Sequence, residues 1–176
     1  LNDNSFSIAG GTLDEDFNLC VDLIGEIIPL PGFKINHSMV YNEVILPIMQ
    51  ARNVKVLLAD RWNSLKLLSD AELDMGDPNE DIPSFIAKQY SLKYVDMVGV
   101  RTRMEQGSII LPKSEIPVKK LLEATDSDYR AFYKDKPVAH LFKQMFTIKD
   151  LLKGVGKGDG YTDDNWRAMA LLLWGL

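Results

Sequence analysis

Cysteine is almost missing from this chain. Cys20 is the only one in 176 residues, so a disulfide within the chain is excluded and a reducing, cytosolic setting is expected. Histidine is nearly as scarce. His37 and His140 lie far apart, and with a single thiol they cannot build a structural zinc site. Any metal here is expected to be a hard ion held by carboxylates. No apolar run approaches the roughly 18 residues of a membrane span, so no membrane partner is expected. A phosphate loop is lacking too. The glycine-rich GVGKGDG at 154–160 would need glycine where Leu151 stands and Ser or Thr where Gly158 stands. No Ser-His-Asp or Cys-His nucleophile arrangement stands out either.

What is present suits one soluble domain with a full core, residues 1–176. Apolar residues make up 46% and charged residues 26%, the balance of ordinary globular chains. No internal repeat or low-complexity stretch interrupts it. The sequence opens at Leu1 in mid-pattern, which suggests a piece of a longer protein. The net charge of −5 is uneven: residues 1–100 carry 7 Lys and Arg against 15 Asp and Glu, residues 101–176 carry 13 against 10. A polyanion would meet the second half more easily.

Along the chain, SFSIA at 5–9 reads as a strand that Gly10-Gly11 turns. A longer strand follows over 17–28, with Phe17, Leu19, Val21, Leu23 and Ile27 on one face and Asp22 and Glu26 on the other, a solvated or edge face. Residues 36–52 read as a helix capped by Asn36 or Ser38 and kinked or displaced by Pro47. Residues 54–58 form a continuous apolar run, a central strand buried on both faces. A short helix is expected over 63–68, then an acidic surface loop over 70–81. A helical turn over 85–90, strands over 94–100 and 108–111 and a helix over 117–124 complete the middle. The order of elements indicates an α/β sheet with helices on its faces.

Two places draw attention. Asp60 stands just beyond the strand at 54–58, where sites gather in open α/β sheets. Asp163 and Asp164 open the run from Trp166 to Trp174, which is apolar almost all round, with no polar stripe, and reads as a buried helix. Acids in such places are helix caps favoured by the dipole, or metal ligands, and residue type alone leaves both open. Carboxylates converging from separate elements are what two-metal phosphodiester chemistry uses. Asp60 and the Asp163–Asp164 pair are therefore expected to converge at one edge of the sheet. Arg61, Lys153 and Lys157 are candidates for touching phosphates of DNA.

The ordered set LLADRWNS (57–64), YSLKY (90–94), GSIILP (107–112) and GYTDDNWRAMALLL (160–173), with the opening LNDNSFSIAGG, resembles the C-terminal nuclease domain of tailed-phage large terminase subunits. The resemblance covers most of the chain. It implies an RNase H-like mixed sheet with helices on both faces. It implies Mg²⁺- or Mn²⁺-dependent cutting of concatemeric viral double-stranded DNA during packaging, with two metals on three acids. Asp60 then matches the second acid and Asp164, or Asp163, the third. The first strand with the first acid, and the ATPase domain, are expected upstream of Leu1. The portal and the small terminase subunit are the partners it implies, in the cytoplasm of an infected or lysogenic host. A non-catalytic RNase H-like module that binds nucleic acid or protein is the alternative.

Overall fold

The structure is a computed structural model. It describes residues 5–29, 32, 34–61, 64–77, 79–112, 131–133, 139, 141–144, 149–151, 154–156 and 163–176. The chain is mixed α/β with a mixed sheet, and it divides into two compact units: residues 1–35 with 92–174 and 176, and residues 36–91 with 175.

The first unit is built on a long antiparallel hairpin, β1 (Phe6–Leu13) and β2 (Leu19–Pro29). Its turn is held by Asp14, whose Oδ1 accepts the backbone N–H of Asp16 and of Asn18 while Oδ2 accepts the Asn18 amide at 2.9 Å. Phe17 takes a left-handed φ of 61° there, which places its side chain in solvent, 71% exposed, rather than in the expected apolar stripe. Along its other edge β2 pairs parallel with β5 (Ile109–Ile110) and antiparallel with β6 (Ala131–Tyr133). Two helices contribute to the core, α4 (Tyr94–Glu105) and α5 (Asp164–Gly175). A short hairpin, β7 (Lys149–Leu151) with β8 (Gly154–Gly156), belongs to the same unit.

The hairpin departs from the expected pattern in one decisive way. Gly10-Gly11 does not turn the strand; β1 runs through both residues. The register steps from Gly10↔Leu23 to Gly11↔Val21, leaving Asp22 as an extra residue on β2. Such a bulge shifts the phase of the side chains beyond it. Leu19, Val21 and Ile24 accordingly share one core, with Met97, Val100, Leu141, Trp166, Met169 and Ala170, although Val21 and Ile24 are three residues apart. Asp22 stays exposed as expected, but Glu26, two residues after Ile24, is carried inward and is 0% exposed. Gly11 is required at this spot, since a Cβ there would lie 2.3 Å from the Cys20 carbonyl oxygen.

The expected strand at 94–100 is the helix α4. Its Val-rich composition suggests β-structure, but the Asp96 carboxylate reaches back to the Lys93 N–H at 2.7 Å, half of a capping box. Met97 and Val100 fall one helical turn apart and are buried. Gly107, at φ 69°, follows the helix and leads into β5.

The second unit contains α1 (His37–Val40), a π-helical turn (Tyr41–Ile45) and α2 (Leu46–Arg52). Asn36 caps α1, its Oδ1 accepting from Met39 N at 3.2 Å. The widened turn stands just before Pro47, which has no N–H to give and whose ring crowds the preceding turn. β3 (Val56–Ala59), α3 (Leu65–Met75) and β4 (Ile86–Gln89) make a parallel βαβ unit. Three expectations change here. The acidic stretch is helical through Met75, because Leu67, Leu68 and Ala71 form a buried stripe at helical spacing. Residues 86–89 are a strand, not a helical turn. β3 pairs only with β4 among the described residues and its Val56 is 40% exposed, so it is not buried on both faces. The helix expected at 117–124 lies outside the described residues.

Candidate functional site

The mouth of α5 is a buried polar place. The helix forms because a run of strong helix formers follows Asp163 without glycine until Gly175, and acids in its first turn suit the dipole. Its apolar side chains from Trp166 to Leu171 pack inward, Met169 at 0% exposure. That packing draws the first turn against the hairpin.

The two neighbouring acids part company there. Asp163 takes the N-cap position, but its side chain makes no capping bond. Instead its Oδ2 accepts from Arg167 Nε at 2.9 Å one turn on, with the aspartate side chain 2% and the arginine 38% exposed. Asp164, the next residue, is on the side of the hairpin. Its Oδ2 lies 2.5 Å from Ser5 Oγ. The same hydroxyl lies 2.7 Å from Glu26 Oε1. Asn165, 0% exposed, donates its Nδ2 to Glu26 Oε2 at 3.3 Å. Ser7 stands directly opposite Glu26 in the hairpin register. The Asn165 Oδ1 and Ser7 Oγ atoms are buried with no hydrogen-bond partner among the described residues. Just beyond, the buried Gln144 accepts the Trp166 N–H at 3.2 Å.

The β1–β2 hairpin, with Ser5 just before it, and helix α5 thus bring together two carboxylates, two hydroxyls and an amide, whose oxygens are hard donors of the kind Mg²⁺, Mn²⁺ and Ca²⁺ take. Glu26 is the member that sequence reasoning places elsewhere. Its signal was the glycine pair inside a strand, which marks a bulge.

In the second unit, Asp60 follows β3 and is half-buried. It is not a helix cap: α3 begins at Leu65, and Ser64 holds the N-cap position. Asp60 Oδ1 accepts the N–H of its neighbour Arg61 at 2.6 Å. Arg61 is exposed, and its carbonyl accepts from Gln89 Nε2 at 3.2 Å, which joins the loop to the end of β4. Asp60 and the Asp163–Asp164 pair belong to different units. Lys153 and Lys157 lie outside the described residues, as does Trp62. No group of three His, Cys, Asp or Glu side chains poised around one point occurs among the described residues.

Comparison of the chain with protein-family profiles, with curated proteins and with solved structures finds no match in any of the three.

Proposed function

We propose that the chain is an RNase H-like nuclease domain of the tailed-phage terminase type, hydrolysing phosphodiester bonds of double-stranded DNA with Mg²⁺ or Mn²⁺. One observation supports this above the others. Asp164, which the resemblance favours over Asp163 for the third acid, opens a packed helix and shares the Ser5 hydroxyl with a second carboxylate, Glu26. Carboxylates from a strand and a helix mouth, in an all-oxygen setting, fit a hard divalent ion.

Such an ion, when bound, polarises a phosphoryl oxygen and makes a bound water a nucleophile at neutral pH. The protein's part is to hold charge and shape. Asp164 presents its carboxylate at the helix mouth. Asn165 fixes one Glu26 oxygen through its amide, and Ser5 ties the two acids together. Asp163, through Arg167, anchors the first turn of α5 so that Asp164 keeps its direction. The resemblance gives Asp60 a ligand's part as well. Arg61, Lys153 and Lys157 are proposed to meet DNA phosphates, so binding weakens with salt as counterions are released. Portal and small subunit are the proposed partners. No helix among the described residues is long and apolar enough to cross a membrane.

The test is cleavage of duplex DNA by the whole protein that contains this chain, with Mn²⁺ and with chelator. Asp164→Ala is expected to lower the rate at least about a hundredfold. Undiminished cleavage by that variant, or duplex binding without Mn²⁺-dependent cleavage by the unaltered protein, overturns the reading.

A further inference from the structure

We propose that Phe17, at the tip of the β1–β2 hairpin, is an anchor that docks into an apolar pocket rimmed by Lys or Arg on a partner protein. The nuclease reading makes no use of this tip.

Single apolar side chains at a protein surface are ordinary; the backbone beneath this one is not. Phe17 holds a φ of 61°, where the Cβ of an L-residue crowds the backbone. Glu15, Asp16 and Phe17 form a loop closed by the Phe17 N–H on the Asp14 carbonyl at 3.1 Å and the Asp14 N–H on the Asn18 carbonyl at 3.0 Å. Hairpin loops of this length usually put glycine at their left-handed position. A bulky aromatic residue there is a conformational outlier, and strain of this kind gathers at ligand clamps and other working sites. Burial of the ring does not offset it, since the side chain stands in solvent.

The loop is also held from outside itself. Arg103 of α4 donates its Nη1 to the Phe17 carbonyl at 3.1 Å. Just past the loop, the Leu19 N–H bonds the Ser108 carbonyl at 2.9 Å. Both backbone polar groups of Phe17 are thus satisfied, and the Asp14 carboxylate ties the residues on either side of it. An aromatic side chain carried on so fixed a backbone has little freedom left to lose on docking, which is what an interface anchor requires.

Charge states the chemistry of the partner. Asp14, Glu15 and Asp16 precede Phe17 without a break, and Glu15 and Asp16 are exposed. Acids in a row repel the phosphates of nucleic acid and the anionic leaflet of a membrane. A protein pocket that takes the ring, with Lys or Arg around it to meet Glu15 and Asp16, is the complement.

Two experiments test this, and neither depends on DNA cleavage. The first needs no partner. Phe17→Gly is expected to raise the melting midpoint of the chain, because glycine takes the same φ without crowding. An unchanged or lowered midpoint means that the ring supports the fold, and overturns the proposal. The second puts the photo-reactive residue p-benzoylphenylalanine at position 17 of the whole protein, which keeps an aromatic side chain there, and irradiates the cells that make it. The residues that carry adducts are read by mass spectrometry. They are expected to line one apolar pocket, with Lys or Arg at its rim, on one partner protein. Glu15→Lys combined with Asp16→Lys is expected to cut the adduct yield at least about fivefold, since rim charge governs association. With the partner so identified and purified, Phe17→Ser is expected to weaken its binding at least about tenfold. Adducts on DNA, on lipid, on a second copy of this chain or on protein without such a pocket overturn the proposal. So do the absence of adducts, a yield indifferent to the charge reversal, and unweakened binding by Phe17→Ser.

Discussion

The chain has aspartates in two settings, and the contrast between them is instructive. At the mouth of α5, Asp163 is 1% exposed and Asp164 meets a wholly buried glutamate through a shared serine. At the end of β3, Asp60 is half-buried and turns back on the N–H of Arg61 next to it. Both follow a motif boundary and both open onto a helix within five residues. What separates them is the element they are attached to. α5 is apolar on nearly every face and must bury itself, so it takes its first turn in with it. α3 buries only the stripe of Leu67, Leu68 and Ala71, and of the loop before it Ser64 is buried while Asp60 stays half-buried and Arg61 exposed. A carboxylate's electrostatic weight is set by how deeply its helix packs, since charge interactions strengthen as water is excluded.

Three changes would break or sharpen that contrast. The largest effect on stability is expected from Gly11→Ala. Its Cβ would meet a backbone carbonyl that cannot swing aside, at a cost of about 1–3 kcal/mol. Because the bulge would have to shift, the same variant should expose Glu26; denaturant melts measure the cost, and hydrogen exchange at the β2 amides beyond Asp22 measures the shift. Next comes the paired comparison of Asp163→Ala with Asp60→Ala. The first removes the buried carboxylate that accepts from Arg167, itself 38% exposed, and is expected to cost about 1 kcal/mol. The second should cost a few tenths, as for most partly exposed substitutions. Equal costs in chemical denaturation would erase the distinction between the two places. The smallest effect is a pH dependence at the hairpin turn. Hydrogen bonds from the Asn18 side chain, then from backbone N–H groups, hold the Asp14 carboxyl below its ordinary value. A lowered folded value means the ionised form favours folding. The contribution is complete above the unfolded value of about 3.9 and is lost as pH falls through the folded one. The melting difference between the unaltered chain and Asp14→Asn is therefore expected to shrink between about pH 5 and about pH 2.

Much of this molecule is legible in its residues. The last helix follows from an apolar run with no polar stripe, and the helix over 37–52 from its Asn36 cap and the stripe of Tyr41, Val44 and Ile45. Asp60 beyond β3 follows from the same kind of reading. The expectations that failed did so where alternation and helical spacing compete over short windows. Tyr94, Val95, Val98 and Val100 favour a strand by type, yet the Asp96 cap and the packing of Met97 with Val100 favour a helix, and packing wins. Ile86 and Lys88 are too few to show a period of two. Glu26 was illegible for a different reason. Its inward direction depends on a bulge four residues earlier, and the glycine that allows the bulge lies on the other strand, reading by itself as a turn. A single inserted residue reverses every side chain after it, so no inspection of β2 alone could place Glu26 on the face of Leu19 and Val21.

The pairing of β2 also sets a clock. Its partner β1 is reached through a turn of a few residues, and such hairpins close in about 1–10 μs. The contacts that make the acid cluster span the chain: Ser5 reaches Asp164 across 159 positions and Asn165 reaches Glu26 across 139. Distant pairings form slowly, because the loop between them must be closed before the contact can compensate. The hairpin is therefore expected to close and reopen many times before α5 docks, and the contacts of Glu26 with Ser5 and Asn165 are expected to be among the last to form. A spectroscopic probe beside Glu26 is expected to report the slowest phase of refolding, and one at Phe17 the fastest.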